Sequence, residues 1–124
     1  MKAVAVKRVS FDAAHFLPGY KGKCSNMHGH HWVVELGVSG EVDPETGMVI
    51  DFTLLKEFLK VKVEDRFDHV LVNDLIENPT AEMIAGRIKL SWDLWAEENC
   101  LAVKLVFIRV WETEDSYAEV SGND

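Results

Sequence analysis

The stretch His28-Gly29-His30-His31-Trp32-Val33-Val34-Glu35-Leu36-Gly37-Val38 decides the fold. Its positions 28, 30, 32, 34, 36 and 38 carry His, His, Trp, Val, Leu and Val, a period of two. A β-strand points successive side chains to opposite faces, so this is a strand with one apolar face and both histidines on it. His31 faces the other way and lies outside any site formed there. Gly29, between the pair, permits close backbone approach on the opposite side.

Upstream, Val4 to Ala14 is rich in small and β-branched residues and reads as a first strand, followed by a loop at Pro18-Gly19-Tyr20-Lys21-Gly22. Downstream, Asp43-Pro44-Glu45-Thr46-Gly47 is turn-rich, and Asp51 is placed to cap a helix. Leu55, Leu59, Val63 and Phe67 then recur at a spacing of four, with Lys56, Lys60, Lys62 and Glu64 between them, as an amphipathic helix requires. A second helix is expected to start at Asn78 as cap with Pro79 first, burying Ile84, Ile88, Trp92 and Trp95. Ala102 to Glu112 reads as a strand, Thr113-Glu114-Asp115 as a turn, and Tyr117 to Val120 as a last short strand. The order of strands, two helices and strands gives an α+β architecture in which helices cover one face of an antiparallel sheet. Its outer edges leave room for pairing between subunits.

A chain of 124 residues is expected to form one domain, residues 1–124, because domains run roughly 100–200 residues. With 48% hydrophobic and 27% charged residues it has a globular composition, neither disordered nor membrane-embedded. No apolar run approaches the roughly 20 residues a bilayer span needs, and Met1-Lys2-Ala3-Val4 lacks the apolar stretch of a signal peptide, so a cytoplasmic location is expected. There Cys24 and Cys100 stay reduced thiols. A formal charge of −8 argues against a nucleic-acid partner, since phosphate backbones are bound by clustered Lys and Arg. A small anion needs only a local basic spot, which Lys21 and Lys23 offer beside Cys24.

The chemistry concentrates in Cys24-Ser25-Asn26-Met27-His28-Gly29-His30 and in His15 upstream. Two histidines at i and i+2 on a strand can reach one ion, and His15 from the neighbouring strand could complete a three-histidine set. The competing reading is that they are satisfied core or surface histidines, and an inward-facing pair plus a third favours the metal. A set of three leaves a fourth tetrahedral position for water or substrate, the pattern of a catalytic zinc. Cys24 admits three roles: a fourth ligand that closes the site, a thiolate general base beside it, or a partly buried inert thiol. Cys100, isolated after the second helix, takes the inert role. Asp68-His69 is either a proton-transfer pair or a helix-terminal ion pair. Glu112 ends an apolar strand on the face of Val106, Ile108 and Val110, either as a plain strand-end carboxylate or as an acceptor for a guanidine-like edge.

Phe11-Asp12-Ala13-Ala14-His15, Cys24 to His30, Gly47-Met48-Val49-Ile50-Asp51-Phe52, Asp68-His69, Pro79-Thr80-Ala81-Glu82 and Trp111-Glu112-Thr113 occur in this order. Over nearly its whole length the chain thereby resembles the 6-pyruvoyl-tetrahydropterin synthase family, and within it the bacterial and archaeal 6-carboxytetrahydropterin synthases. The resemblance implies a tunnelling fold: a four-stranded antiparallel sheet with two helices on one face, assembled into trimers and hexamers with active sites between subunits. It implies Zn2+ on His15, His28 and His30, with Cys24 as catalytic base rather than ligand. It further implies Asp68 and His69 as a proton-transfer pair from the neighbouring chain, and Glu112 as anchor of the pterin's amino-pyrimidine edge. Thr80, Lys21 and Lys23 become substrate contacts, the lysines for a triphosphate. The implied reaction is a carbon–carbon lyase step on 7,8-dihydroneopterin triphosphate, with a pyruvoyl-forming or aldolase relative as the alternative outcome. A zinc-stabilised binding module, with Cys24 as fourth ligand, is the alternative of another class.

Overall fold

The computed structural model describes residues 1–122. Strand β1 (Lys2–His15) pairs antiparallel with β2 (His28–Glu41), β2 with β3 (Lys104–Thr113), and β3 with β4 (Ser116–Ser121). The sheet order β1-β2-β3-β4 follows the chain, so each strand lies beside its sequence neighbour. Two helical segments inserted between β2 and β3 cover one face of this sheet, as the element order led one to expect.

The period of two in β2 is realised as drawn: Trp32, Val34, Leu36 and Val38 are all buried, against Phe11 and Ala13 of β1 and Ile108 and Val110 of β3. Helix α1 (Phe52–Leu59) is capped by Asp51, whose carboxylate accepts from the Thr53 N–H at 2.9 Å. It runs into a π-helical turn at Lys60–Glu64 and a last helical turn at Asp65–Phe67. Residues four apart overshoot by about 40° per step on a 3.6-residue helix, so a strict spacing of four drifts off one face. The wider turn at Lys60–Glu64 takes up that drift, and Leu55, Leu59, Val63 and Phe67 all stay buried.

Helix α2 (Ala81–Glu98) begins later than the sequence suggests. Its cap is Thr80, whose hydroxyl oxygen accepts from the Met83 N–H at 3.1 Å; neither Asn78 nor Pro79 belongs to the helix. The Pro79 carbonyl is thereby left free to serve the site described below. Ile84, Ile88 and Trp92 are buried as expected, while Trp95 is half-buried and packs against Phe58 and Trp92.

At the other end of α2, Cys100 sits in the left-handed region at φ 51°, and its thiol is exposed rather than partly buried. The Leu101 N–H reaches the Ala96 carbonyl and the Cys100 N–H the Glu97 carbonyl, the two bonds of a Schellman cap. Glycine usually holds that position because a Cβ is costly there. Cys100→Gly should therefore raise stability by about 0.5–1 kcal/mol after the larger unfolded-state entropy of glycine is subtracted. A thermal melt under reducing conditions, read for a rise of about 2–4 °C, checks this.

Two bulges interrupt β3. Val106 is the extra residue where Gly37 and Val38 face Phe107 and Leu105, and this overturns its expected place on the core face. Leu105 packs against the core instead, and Val106 is exposed. Glu112 is the extra residue between Trp111 and Thr113. Among the described residues no helix is long and apolar enough to cross a membrane.

Candidate metal centre

The hairpin register brings the histidines together. His15 lies directly opposite His28, and His30 opposite Ala13, so three imidazoles rise from the core face at one end of β1 and β2. Ring centroids are 4.5 Å apart for His15 and His28, 4.8 Å for His28 and His30, and 5.2 Å for His15 and His30. The rings meet edge-on, and Trp32 forms the floor, 4.9 Å from His15 and 5.3 Å from His30. The indole is itself held by a bond from its N–H to the Ala13 carbonyl at 3.2 Å.

Backbone carbonyls set two of the tautomers. His15 Nδ1 is 2.8 Å from the Pro79 carbonyl and His28 Nδ1 is 2.7 Å from the Asn26 carbonyl. A carbonyl only accepts, so each Nδ1 donates to it and each Nε2 is the nitrogen left facing the other rings. This is how a metal-binding imidazole is oriented by its surroundings. The Nε2 atoms of His15 and His30 are buried with no hydrogen-bond partner. Such an orphan costs about 1–3 kcal/mol unless something else satisfies it. Burial pushes His30 below the ordinary imidazole range; Glu112 opposes this, and His15 and His28 add to it. The shift favours the neutral form that a ligand needs.

Ligand atoms of His15, His28, His30 and Glu112 lie within 4.8 Å of one another. A tetrahedral zinc with nitrogen and oxygen donors at about 2.0–2.2 Å sets those donors about 3.3–3.6 Å apart, so a small contraction fits one here. The chemistry of the set, three imidazoles and a carboxylate, suits zinc.

Cys24 is partly buried in the short helical turn Lys23–Ser25, and its carbonyl accepts from the Leu17 N–H at 2.7 Å. It is not in the four-donor group; the fourth member is Glu112. Lys21 and Lys23 are exposed in the same loop. Arg8, which sequence reasoning passed over, lines a cavity of about 620 Å³ together with His30, His31, Trp111 and Glu112.

Asp68 and His69 do meet, Oδ2 to Nδ1 at 2.9 Å. They are docked on β1: Asp68 Oδ1 accepts from the Asp12 N–H at 2.9 Å, and the His69 N–H donates to the Asp12 carbonyl at 2.6 Å. The bond from Asp12, and secondarily that from His69, holds the Asp68 carboxyl below the usual range. His69 takes φ 60° and an exposed ring on an open cleft of about 540 Å³ shared with Gly29, His30 and His31. The loop beyond is pinned by Asn73, which bonds both the N–H and the carbonyl of Phe16. His31, as alternation required, points away, to Asp12 Oδ1 at 2.8 Å. Gly29 is not forced by crowding within the chain, since a Cβ there would meet only the Ala13 carbonyl at 3.8 Å.

Thr80 is committed to capping α2. Thr80→Ala should cost about 1 kcal/mol and Thr80→Ser should restore it, because both hydroxyls cap; chemical denaturation of the two variants decides. Besides Arg8, sequence reasoning missed Pro79 O, Asn26 O and Trp32. The carbonyls have no side-chain signature, and Trp32 was legible only as a core position.

Fold and site together define an α+β domain built on an antiparallel meander, with a group of three histidines and a carboxylate able to hold a metal ion at one end of the first hairpin. Residues 5–123 match the model of the 6-pyruvoyl tetrahydropterin synthase family, and the chain belongs to that family. It is 43% identical over 111 residues to a putative 6-carboxy-5,6,7,8-tetrahydropterin synthase of Archaeoglobus fulgidus, covering 90% of this chain and 89% of that one. It is 33% identical over 136 residues to the 6-carboxy-5,6,7,8-tetrahydropterin synthase of Rickettsia typhi, covering 92% and 96%. Among solved structures, Caenorhabditis elegans 6-pyruvoyl tetrahydropterin synthase superimposes with a TM-score of 0.85 at 27% identity, covering 99% of this chain and 97% of that one.

Proposed function

We propose that this chain is a zinc-dependent 6-carboxy-5,6,7,8-tetrahydropterin synthase, converting 7,8-dihydroneopterin triphosphate into 6-carboxytetrahydropterin with release of acetaldehyde and triphosphate. The observation that carries the reading is the convergence of bare, buried imidazole nitrogens with one carboxylate, in a chain 43% identical to a relative of that name. Zinc bound there supplies Lewis-acid stabilisation for side-chain oxygens that gain negative charge.

The protein's own groups do the rest. His15, His28 and His30 hold the ion, with Pro79 O and Asn26 O fixing two of the rings. Cys24 acts as the general base on the substrate side chain, and His69, oriented by Asp68, moves the second proton. Glu112 accepts from the amino-pyrimidine edge, and Lys21 and Lys23 meet the triphosphate. Asp68 and His69 serve the site of a neighbouring chain in a trimer or hexamer. The setting is cytoplasmic, in the supply of a queuosine precursor.

Incubating zinc-loaded protein with 7,8-dihydroneopterin triphosphate and identifying products by mass tests the proposal. Acetaldehyde with the 6-carboxy product supports it. Triphosphate release without acetaldehyde transfers the chain to the pyruvoyl-forming branch.

A further inference from the structure

Glu112 stands where two different demands meet. Its Oε1 is 3.2 Å from His30 Nε2, yet that nitrogen has no hydrogen-bond partner. The separation is within hydrogen-bond reach, but no hydrogen bond joins the two atoms. A ring nitrogen and a carboxylate oxygen this close with no hydrogen bond between them are placed to share a cation. Both atoms belong to the four-donor group.

The same carboxylate has somewhere else to go. Glu112 is the extra residue of a bulge and about one-third exposed, and a bulge re-aims a side chain out of the strand's regular alternation. On one side it borders the cavity of about 620 Å³ that reaches Trp111 and His31. On the other it borders a hollow of about 170 Å³ formed with Ala81, Glu82 and Tyr117.

We infer that Glu112 is an exchangeable donor: with the cleft empty its carboxylate completes the donor set of His15, His28 and His30, and a ligand with an amidine-type N–H edge draws it off. Bidentate recognition of such an edge uses both carboxylate oxygens in one plane, so the ligand and the ion compete for the same two oxygens. Ligand binding thereby opens the fourth metal position at the moment a substrate oxygen needs it. The ligand half of this inference rests on the pterin reading above; the metal half does not.

Two measurements other than turnover test it. Zinc affinity is measured by competition with a chromophoric chelator, for wild type and for Glu112→Gln. The visible absorption of the cobalt(II)-substituted wild type is followed during titration with 7,8-dihydropterin, which has the amino-pyrimidine edge but no side-chain hydroxyls to ligate the ion. We expect Glu112→Gln to weaken zinc by about tenfold or more, at least the loss seen when a mere outer partner is removed. Dihydropterin should change the cobalt spectrum and weaken zinc, and by linkage zinc should weaken dihydropterin by the same factor. Circular dichroism confirms that the variant is folded. Unchanged zinc affinity in folded Glu112→Gln overturns the inference. So does dihydropterin that binds, by quenching of tryptophan fluorescence, and leaves the cobalt spectrum unmoved; in that case the pterin reading stands alone. Failure of dihydropterin to bind wild type overturns the exchange and the proposed function together.

Discussion

His28→Ala should strip the protein of zinc and of activity together. His28 is the suitable ligand to remove, because it is partly exposed, whereas His15 is buried at 1% and also supports Pro79 O. Its loss takes one donor from the set without opening a hole in the core. We expect about one zinc per chain in wild type and a small fraction of that in the variant after gel filtration. Lewis-acid stabilisation is worth several kcal/mol at the transition state, so turnover should fall about 10³-fold or more. A third readout separates this from misfolding. Added zinc should raise the melting temperature of the wild-type apoprotein, since a ligand that binds only the native state stabilises it, and should leave His28→Ala unmoved. Zinc retained at full stoichiometry by a folded His28→Ala would remove this histidine from the site.

Cys24→Ala should do the opposite to the metal and nearly the same to the chemistry. The turn that carries Cys24 is held through its backbone, by the Leu17 N–H on the Cys24 carbonyl, so loss of the thiol leaves the loop in place. Because the four-donor group contains Glu112 and not Cys24, zinc affinity should be unchanged. Removing a positioned general base costs about 10²–10⁴-fold in turnover, and that is the loss expected here. If zinc affinity falls instead, Cys24 is a ligand and the chain is better described as a zinc-stabilised binding module.

Much of this site could be read without coordinates. In β2 the alternation of His28, His30, Trp32, Val34, Leu36 and Val38 is a local property of extended chain, and it placed both histidines inward and His31 outward. The α1 stripe and its Asp51 cap were equally local. The start of α2 was not, because Asn78 and Thr80 are both good caps and Pro79 suits a first turn. The choice of Thr80 releases the Pro79 carbonyl to His15, a contact across 64 residues of chain. Nor could Val106 be placed, because a bulge residue breaks the period of two, so that Leu105 rather than Val106 continues the core face of Ile108 and Val110, and it carries no side-chain signal here.

The sequence by itself determined the strand–helix–strand order, the inward face of the first hairpin and the three histidines that share it, because periodicity and capping act over a few residues. Only the tertiary structure decided which carbonyls fix the imidazole tautomers, that Glu112 rather than Cys24 joins the donor set, and that His69 opens onto the cleft beside His30. Those choices depend on register between strands and on bulges and docked loops, where segments far apart in the chain meet and no local pattern records the distance.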